Sequence, residues 1–191
     1  MQYLRLAAAL ALPVLSALAS GPLANRRAPG FSLMDVNFNQ HDLADYRGKV
    51  VVVEFMRTDC PVCLGFSALI GKLKAKYGDR VEVLTIVNTP PDNLQTVTKY
   101  ISAYNIKNPV LFDRGDVVTS YLKLTPQNTR VALPHVFLVD RKGWIRSNFE
   151  YSELTESYFT GDGAPLLEEV GRLVQEAGEG PAAGPRSNQL D

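Results

Sequence analysis

The chain holds two cysteines, Cys60 and Cys63, separated only by Pro61 and Val62. At this spacing they share one face of a helix and can bond to each other with little distortion. So short a loop removes little entropy from the unfolded chain, which makes the pair a poor structural staple. A zinc site would need further ligands, and His41 and His135 stand at no zinc-type spacing from the pair. Reversible disulfide exchange is the leading reading, with a metal site and a plain staple as the alternatives. The two sulfurs are not equivalent. Pro61 suits the first position of a helix, so Cys60 is placed as its cap, where unpaired amides and the macrodipole favour a thiolate. Cys60 is therefore the expected nucleophile, and Cys63, one turn in, the resolving thiol.

Glu54 is the second candidate. It closes the apolar run Val50-Val51-Val52-Val53, and a carboxylate there is costly to bury and should hold its proton more tightly than usual. Such a group can take up or deliver the proton of Cys63. The alternative is a side chain that reaches solvent or pairs with Arg57 or a lysine.

The elements that must position these groups are legible around them. Val50 to Phe55 is β-branched and barely alternates, as in a strand buried on both faces. From Leu64, residues Phe66, Leu69, Ile70, Leu73 and Tyr77 fall on one helical face, and Gly78 is placed as a left-handed cap. Val81 to Val87 is a second strand, and strand–helix–strand without a hairpin turn implies a parallel pair. Thr89-Pro90-Pro91-Asp92 breaks the chain and can cap a helix with Leu94, Val97, Ile101 and Tyr104 on one face and Asn105 at its end. Pro109–Phe112 reads as a strand, Asp116–Leu122 as a helix and Thr125–Ala132 as a loop. His135–Val139 and Trp144–Phe149 form an antiparallel hairpin, with Trp144 as packing. Leu166, Val170, Leu173, Val174 and Ala177 make a final amphipathic helix stopped by Gly178. Phe31 to Leu43 reads as a hairpin at the sheet edge. The fold class is α/β, a sandwich around a mixed central sheet.

Composition bounds the rest. With 191 residues and 46% hydrophobic content the chain can bury one good-sized core. Lys+Arg and Asp+Glu both total 20, and no basic stripe is present, which argues against nucleic acid as a partner. Arg5, the apolar stretch Leu6–Leu18 and the small-x-small site Ala17-Leu18-Ala19 predict a signal peptide over residues 1–19, or a short anchor acting as a membrane tether. The protein is then expected to be periplasmic, or extracytoplasmic and membrane-associated. Residues 20–30 read as a linker, 31–177 as the redox domain and 178–191 as a disordered tail.

Glu54 through Cys63 resembles the active-site segment of thioredoxin-like proteins, in particular the exported TlpA/ResA-type oxidoreductases and related redoxins of the AhpC/TSA group. Ala28-Pro29-Gly30-Phe31-Ser32-Leu33, Tyr46-Arg47-Gly48-Lys49, Leu133-Pro134-His135-Val136-Phe137-Leu138-Val139-Asp140 and the inserted helix Asp92–Tyr104 agree with that assignment. The resemblance covers about Ala28 to Ala177. It implies a thioredoxin-like fold in which Pro134 is cis, packs against the cysteines and helps position an extended substrate chain. Leu133, Pro134, His135, Pro61 and Val62 are then the substrate-binding candidates. It also implies a proton-transfer role for Glu54, no cofactor beyond the Cys60–Cys63 disulfide, protein thiol or disulfide substrates, and a membrane or soluble electron donor.

Two residues depart from the family pattern. Asp59 stands where Trp is usual, and its carboxylate opposes a thiolate at Cys60 unless Arg57 or solvent offsets it. His135 replaces a common Thr, and its imidazole either stabilises the Cys60 thiolate or bonds to backbone without catalytic effect. Two further functions remain open on the residues. A peroxiredoxin-like peroxidase would use Thr58 and Arg57 as donors around Cys60, and a copper-binding chaperone would use Cys60, Cys63 and His135.

Overall fold

The computed structural model describes residues 21–176. The expected signal peptide or anchor and the tail lie outside the described residues, as do Ala177 and Gly178. Among the described residues no helix is long and apolar enough to cross a membrane.

The centre is β4 (Val50–Met56), every residue of which is buried. It pairs in parallel with β5 (Val81–Asn88), and β5 pairs in parallel with β6 (Val110–Asp113). On the other side β4 runs antiparallel to β7 (His135–Val139), which forms a hairpin with β8 (Trp144–Glu150). The sheet is mixed, as expected. The linker reading needs correction: Arg26–Arg27, β1, pairs antiparallel with β8 and makes the outer strand of the sheet. Composition could not show this, because the two arginines are folded down by long-range contacts. The Arg26 guanidinium donates to the Tyr121 carbonyl, and Arg27 lies over the Trp144 ring at 5.6 Å. The sheet order is therefore β1-β8-β7-β4-β5-β6.

Short strands β2 (Ser32–Met34) and β3 (Gln40–Asp42) form their own two-stranded ribbon. It touches the main sheet through a bridge between Asp35 and Leu111 rather than extending its edge. His41 holds the ribbon closed, with Nε2 3.1 Å from Asp35 and Nδ1 2.6 Å from the Tyr46 hydroxyl.

Helix α1 (Pro61–Tyr77) packs Phe66, Leu69, Ile70 and Leu73 onto Val50 and Val52, together with α4 (Glu156–Phe159) and α5 (Ala164–Gln175). The opposite face carries Val51, Val53 and Phe55 against α3 (Asp116–Leu122) and the ribbon. Strand alternation sends neighbouring residues of β4 into these two separate cores. Gly78 ends α1 with φ of 56° but ψ of −133°, so it is not the left-handed cap expected. The chain passes from it into a short 3-10 turn over Gly78–Arg80.

Helix α2 (Leu94–Tyr104) covers the end of β4 and β5. Its buried residues are Val97 and Tyr100, whereas Leu94 and Tyr104 are exposed. The sequence stripe was thus displaced by part of a turn. The apolar surface offered by Met56, Val87 and Val110 is narrow and receives only the middle of the helix.

Candidate active site

The dithiol sits where β4 gives way to α1. Cys60 is the N-cap of α1, with extended backbone at φ −88° and ψ 113°, and Pro61 follows at the first helical position. The Cys63 amide donates to Cys60 Sγ at 3.3 Å, so the first sulfur caps the helix in the way a Ser or Asp oxygen does elsewhere. The two cysteines are joined as a disulfide with their Cα atoms 5.3 Å apart. Cys63 is fully buried and Cys60 is half-exposed. A partner disulfide can therefore reach Cys60, while Cys63 is shielded from solvent. Pro61 is exposed and Val62 half-buried, which leaves both at the rim.

The turn ahead of Cys60 is fastened by a residue that the sequence offers only as a helix cap. Asp92, buried at the start of the inserted segment, accepts the Thr58 amide at 3.2 Å and the Thr58 hydroxyl. It also accepts Thr96 Oγ1 at 2.9 Å. Asp92 does not cap α2. Asn93 does, with a reciprocal capping box to Thr96. Two adjacent cap-forming residues cannot be told apart by type, and only the position of Thr58 decides between them. Asp92→Ala should leave the Thr58 amide without its acceptor and lower stability by about 2 kcal/mol. Urea unfolding of the oxidised protein measures this, and an unchanged midpoint would show that the turn holds without the carboxylate.

Arg57 and Asp59 pair with each other at 2.5 Å, both on the exposed side. The Asp59 carboxylate therefore stands beside a guanidinium, one of the offsets expected from sequence. Thr58 gives its hydroxyl hydrogen to Asp92 and one Arg57 N–H faces Asp59, so of the two donors that a peroxidase would use the Thr58 hydroxyl is engaged elsewhere.

Glu54 is fully buried on β4. Alternation places it on the same face as Val52 and Met56, the face covered by Phe66 and Cys63 of α1. It neither reaches solvent nor pairs with Arg57 or a lysine. The Thr85 hydroxyl donates to Oε2 at 2.8 Å, and Oε1 has no hydrogen-bond partner among the described residues. Burial raises its pKa to about 7, with the Thr85 hydrogen bond opposing the rise. Tyr100, buried over the same end of the sheet, is pushed up by burial first and by the Glu54 charge second.

The Leu133–Pro134 peptide is cis, as the resemblance implied. Pro134 is buried, and its carbonyl accepts the Tyr151 amide at 3.0 Å. Leu133 packs against the cluster that contains Met56 and Cys63. His135 goes elsewhere. It pairs in register with Phe55 and stacks on Phe137 with ring centroids 4.7 Å apart, on the sheet face away from α1. It borders a cleft of about 590 Å³ with Arg130, Ala132, Asn148 and Glu150. Burial lowers its pKa to about 4, with Asn148 opposing, so the ring is neutral at neutral pH and offers no positive charge to a thiolate. His135 is not brought together with the cysteines. Among the described residues no group of three or more His, Cys, Asp or Glu side chains is placed to hold a metal ion, which removes the three-ligand copper site.

The redoxin family matches residues 23–160, most of the chain. The chain is a redoxin. Its relatives include the thiol-disulfide oxidoreductase ResA of Geobacillus kaustophilus strain HTA426, 30% identical over 119 residues, or 62% of this chain and 64% of that protein. The thioredoxin-like protein YneN of Bacillus subtilis strain 168 is 25% identical over 122 residues, or 63% of this chain and 68% of that protein. This redoxin thus spans under two thirds of the length of the ResA protein it matches. Among solved structures, a thiol:disulfide interchange protein of the thioredoxin family from Chlorobium tepidum TLS superposes with a TM-score of 0.64 at 19% identity, over 78% of this chain and 96% of that one. The pneumococcal exposed lipoprotein thioredoxin Etrx1 of Streptococcus pneumoniae strain TIGR4 superposes with a TM-score of 0.60 at 23% identity, over 76% and 100% respectively. The fold of this redoxin is therefore thioredoxin-like, in agreement with the resemblance read from Glu54–Cys63 and Leu133–Asp140.

Proposed function

We propose that this redoxin is an exported thiol-disulfide oxidoreductase that exchanges disulfides with protein substrates through Cys60-Pro61-Val62-Cys63. The observation that carries the reading is the inequality of the two sulfurs: one disulfide joins a half-exposed Cys60 to a fully buried Cys63. The Cys60 thiolate attacks a substrate disulfide, forms a mixed disulfide and releases one substrate thiolate. Cys63 then attacks Cys60, re-forms the internal disulfide and releases the second, so two electrons pass from the dithiol to the substrate. Glu54, with its pKa raised to about 7, accepts the Cys63 proton as that thiol becomes a nucleophile. Leu133 and Pro134 line the substrate side of the dithiol, with Pro61 and Val62 at the rim. His135 serves the packing of β7 instead. The apolar leader Leu6–Leu18 supports export, and a membrane or soluble thiol donor would return the pair to the dithiol form.

The test is equilibration of the purified protein with glutathione redox buffers, followed by transfer from its dithiol to the disulfides of insulin. The expected result is a single two-electron couple and insulin reduction faster than by glutathione alone. No transfer would overturn the reading. Steady peroxide consumption that disappears in Cys60→Ser would replace it with a peroxidase.

A further inference from the structure

The Glu54 carboxylate stands at the end of a hydrogen-bond chain whose direction is fixed from its far end. Asn108, half-buried in the segment between α2 and β6, directs its Nδ2 to the Pro109 carbonyl at 3.3 Å and to Thr85 Oγ1 at 2.9 Å. A carbonyl oxygen only accepts, so the atom of Asn108 facing it is the amide nitrogen, a donor with two hydrogens. Thr85 Oγ1 therefore receives a hydrogen from Asn108, and its own single hydrogen is left for Glu54 Oε2 at 2.8 Å. Every link runs the same way, from amide to hydroxyl to carboxylate.

We infer that Asn108 and Thr85 are positioning residues that hold Glu54 Oε2 as a permanent acceptor and reserve Oε1 for the exchanging proton. A proton on Oε2 would turn the Thr85 hydrogen away from the one acceptor it has among the described residues. Oε1 is buried and has no partner among the described residues, which leaves it free to bind and release one. The chain also favours the charged carboxylate, because a hydroxyl held as a donor stabilises the anion more than the neutral acid. This opposes the burial of Glu54 and keeps its titration near neutrality rather than higher. The inference rests on the reading of Glu54 as the proton partner of Cys63 for its use in catalysis, but not for its geometry.

The experiment follows the Glu54 side-chain carbonyl by ¹³C NMR through a pH titration of the oxidised protein, in which the cysteines do not titrate. Glu54→Gln identifies the resonance. Thr85→Val, which keeps the shape of the strand residue, should raise the midpoint by about one pH unit, and Thr85→Ser should hold it near the wild-type value. Asn108→Ala removes the donor that orients and polarises the Thr85 hydroxyl, and should move the midpoint in the same direction by about half as much. Added to Thr85→Val it should move the midpoint no further, because the link it acts through is gone. An unmoved midpoint in Thr85→Val, or an Asn108→Ala effect that persists without the Thr85 hydroxyl, would overturn the inference. The pH profile of thiol alkylation in the reduced protein separates the two ideas. If the carboxyl midpoint moves as expected and the thiol profile does not follow it, the chain acts on Glu54 as inferred, and Glu54 is not the proton partner of Cys63.

Discussion

Cys63→Ser is expected to stop turnover while leaving the first chemical step intact. Cys60 is the reachable sulfur, and nothing in its exposure or in its place at the start of α1 depends on the Cys63 sulfur atom. The Cys63 amide that points at Cys60 Sγ belongs to the backbone and survives the substitution. A substrate disulfide is therefore attacked as before, but the mixed disulfide has no internal thiol to resolve it. Protein-disulfide reduction should fall by about a thousandfold or more, with the covalent adduct accumulating on non-reducing gels. Cys60→Ser should lose as much turnover and accumulate no adduct, because Cys63 is fully buried and no partner can reach it. Equal adduct formation by the two variants would show that the sulfurs are interchangeable and would remove the assignment of roles.

The second large effect concerns stability. The Glu54 carboxyl titrates near 4.5 in an ordinary setting and at about 7 in the folded chain. Between those values the folded state holds a proton that the unfolded state has released, so raising the pH favours unfolding. The contribution is fully present below about 4.5 and is lost as pH rises through about 7. The accumulated loss is about 3 kcal/mol at pH 9. Glu54→Gln keeps an acceptor for the Thr85 hydroxyl and has no charge to bury. The variant should therefore gain about 3 kcal/mol on the wild type between pH 4 and pH 9, measured by denaturant unfolding of the oxidised proteins. His135 has the opposite sign. Its folded pKa is lowered from 6.5 to about 4, so its contribution is present above 6.5 and is lost as pH falls toward 4. It is common to both proteins and cancels in their difference. Parallel pH dependences for variant and wild type would show that Glu54 is not titrating in the folded state.

Much of this site is legible in the sequence because the determining patterns are local. An unalternated run of valines leaves a strand no solvent face, and a proline after Cys60 fixes where the helix begins. Glu54 could be picked out for the same reason, since a carboxylate in such a run has nowhere inexpensive to go. What could not be read depends on which side chains meet across elements. His135 follows Pro134 directly, yet strand alternation carries it to the far face of the sheet, where it stacks on Phe137. Thr85 offered a usable signal. It lies as far into its run as Glu54 lies into its own, and the parallel register sets the two side by side. Asp92 and Asn108 offered none, because their partners, Thr58 and Thr85, lie 34 and 23 residues away in the chain.

Asp92 ties the reactive turn to the segment inserted between β5 and β6, which makes the two halves of this active site difficult to exchange separately. A chimera that transplants only Arg57–Cys63 into another thioredoxin-like scaffold would bring the cysteines and leave behind the carboxylate that holds Thr58. The unit of inheritance here is the dithiol turn together with its inserted helix, and recombination between relatives that splits them would separate a reactive group from its mooring.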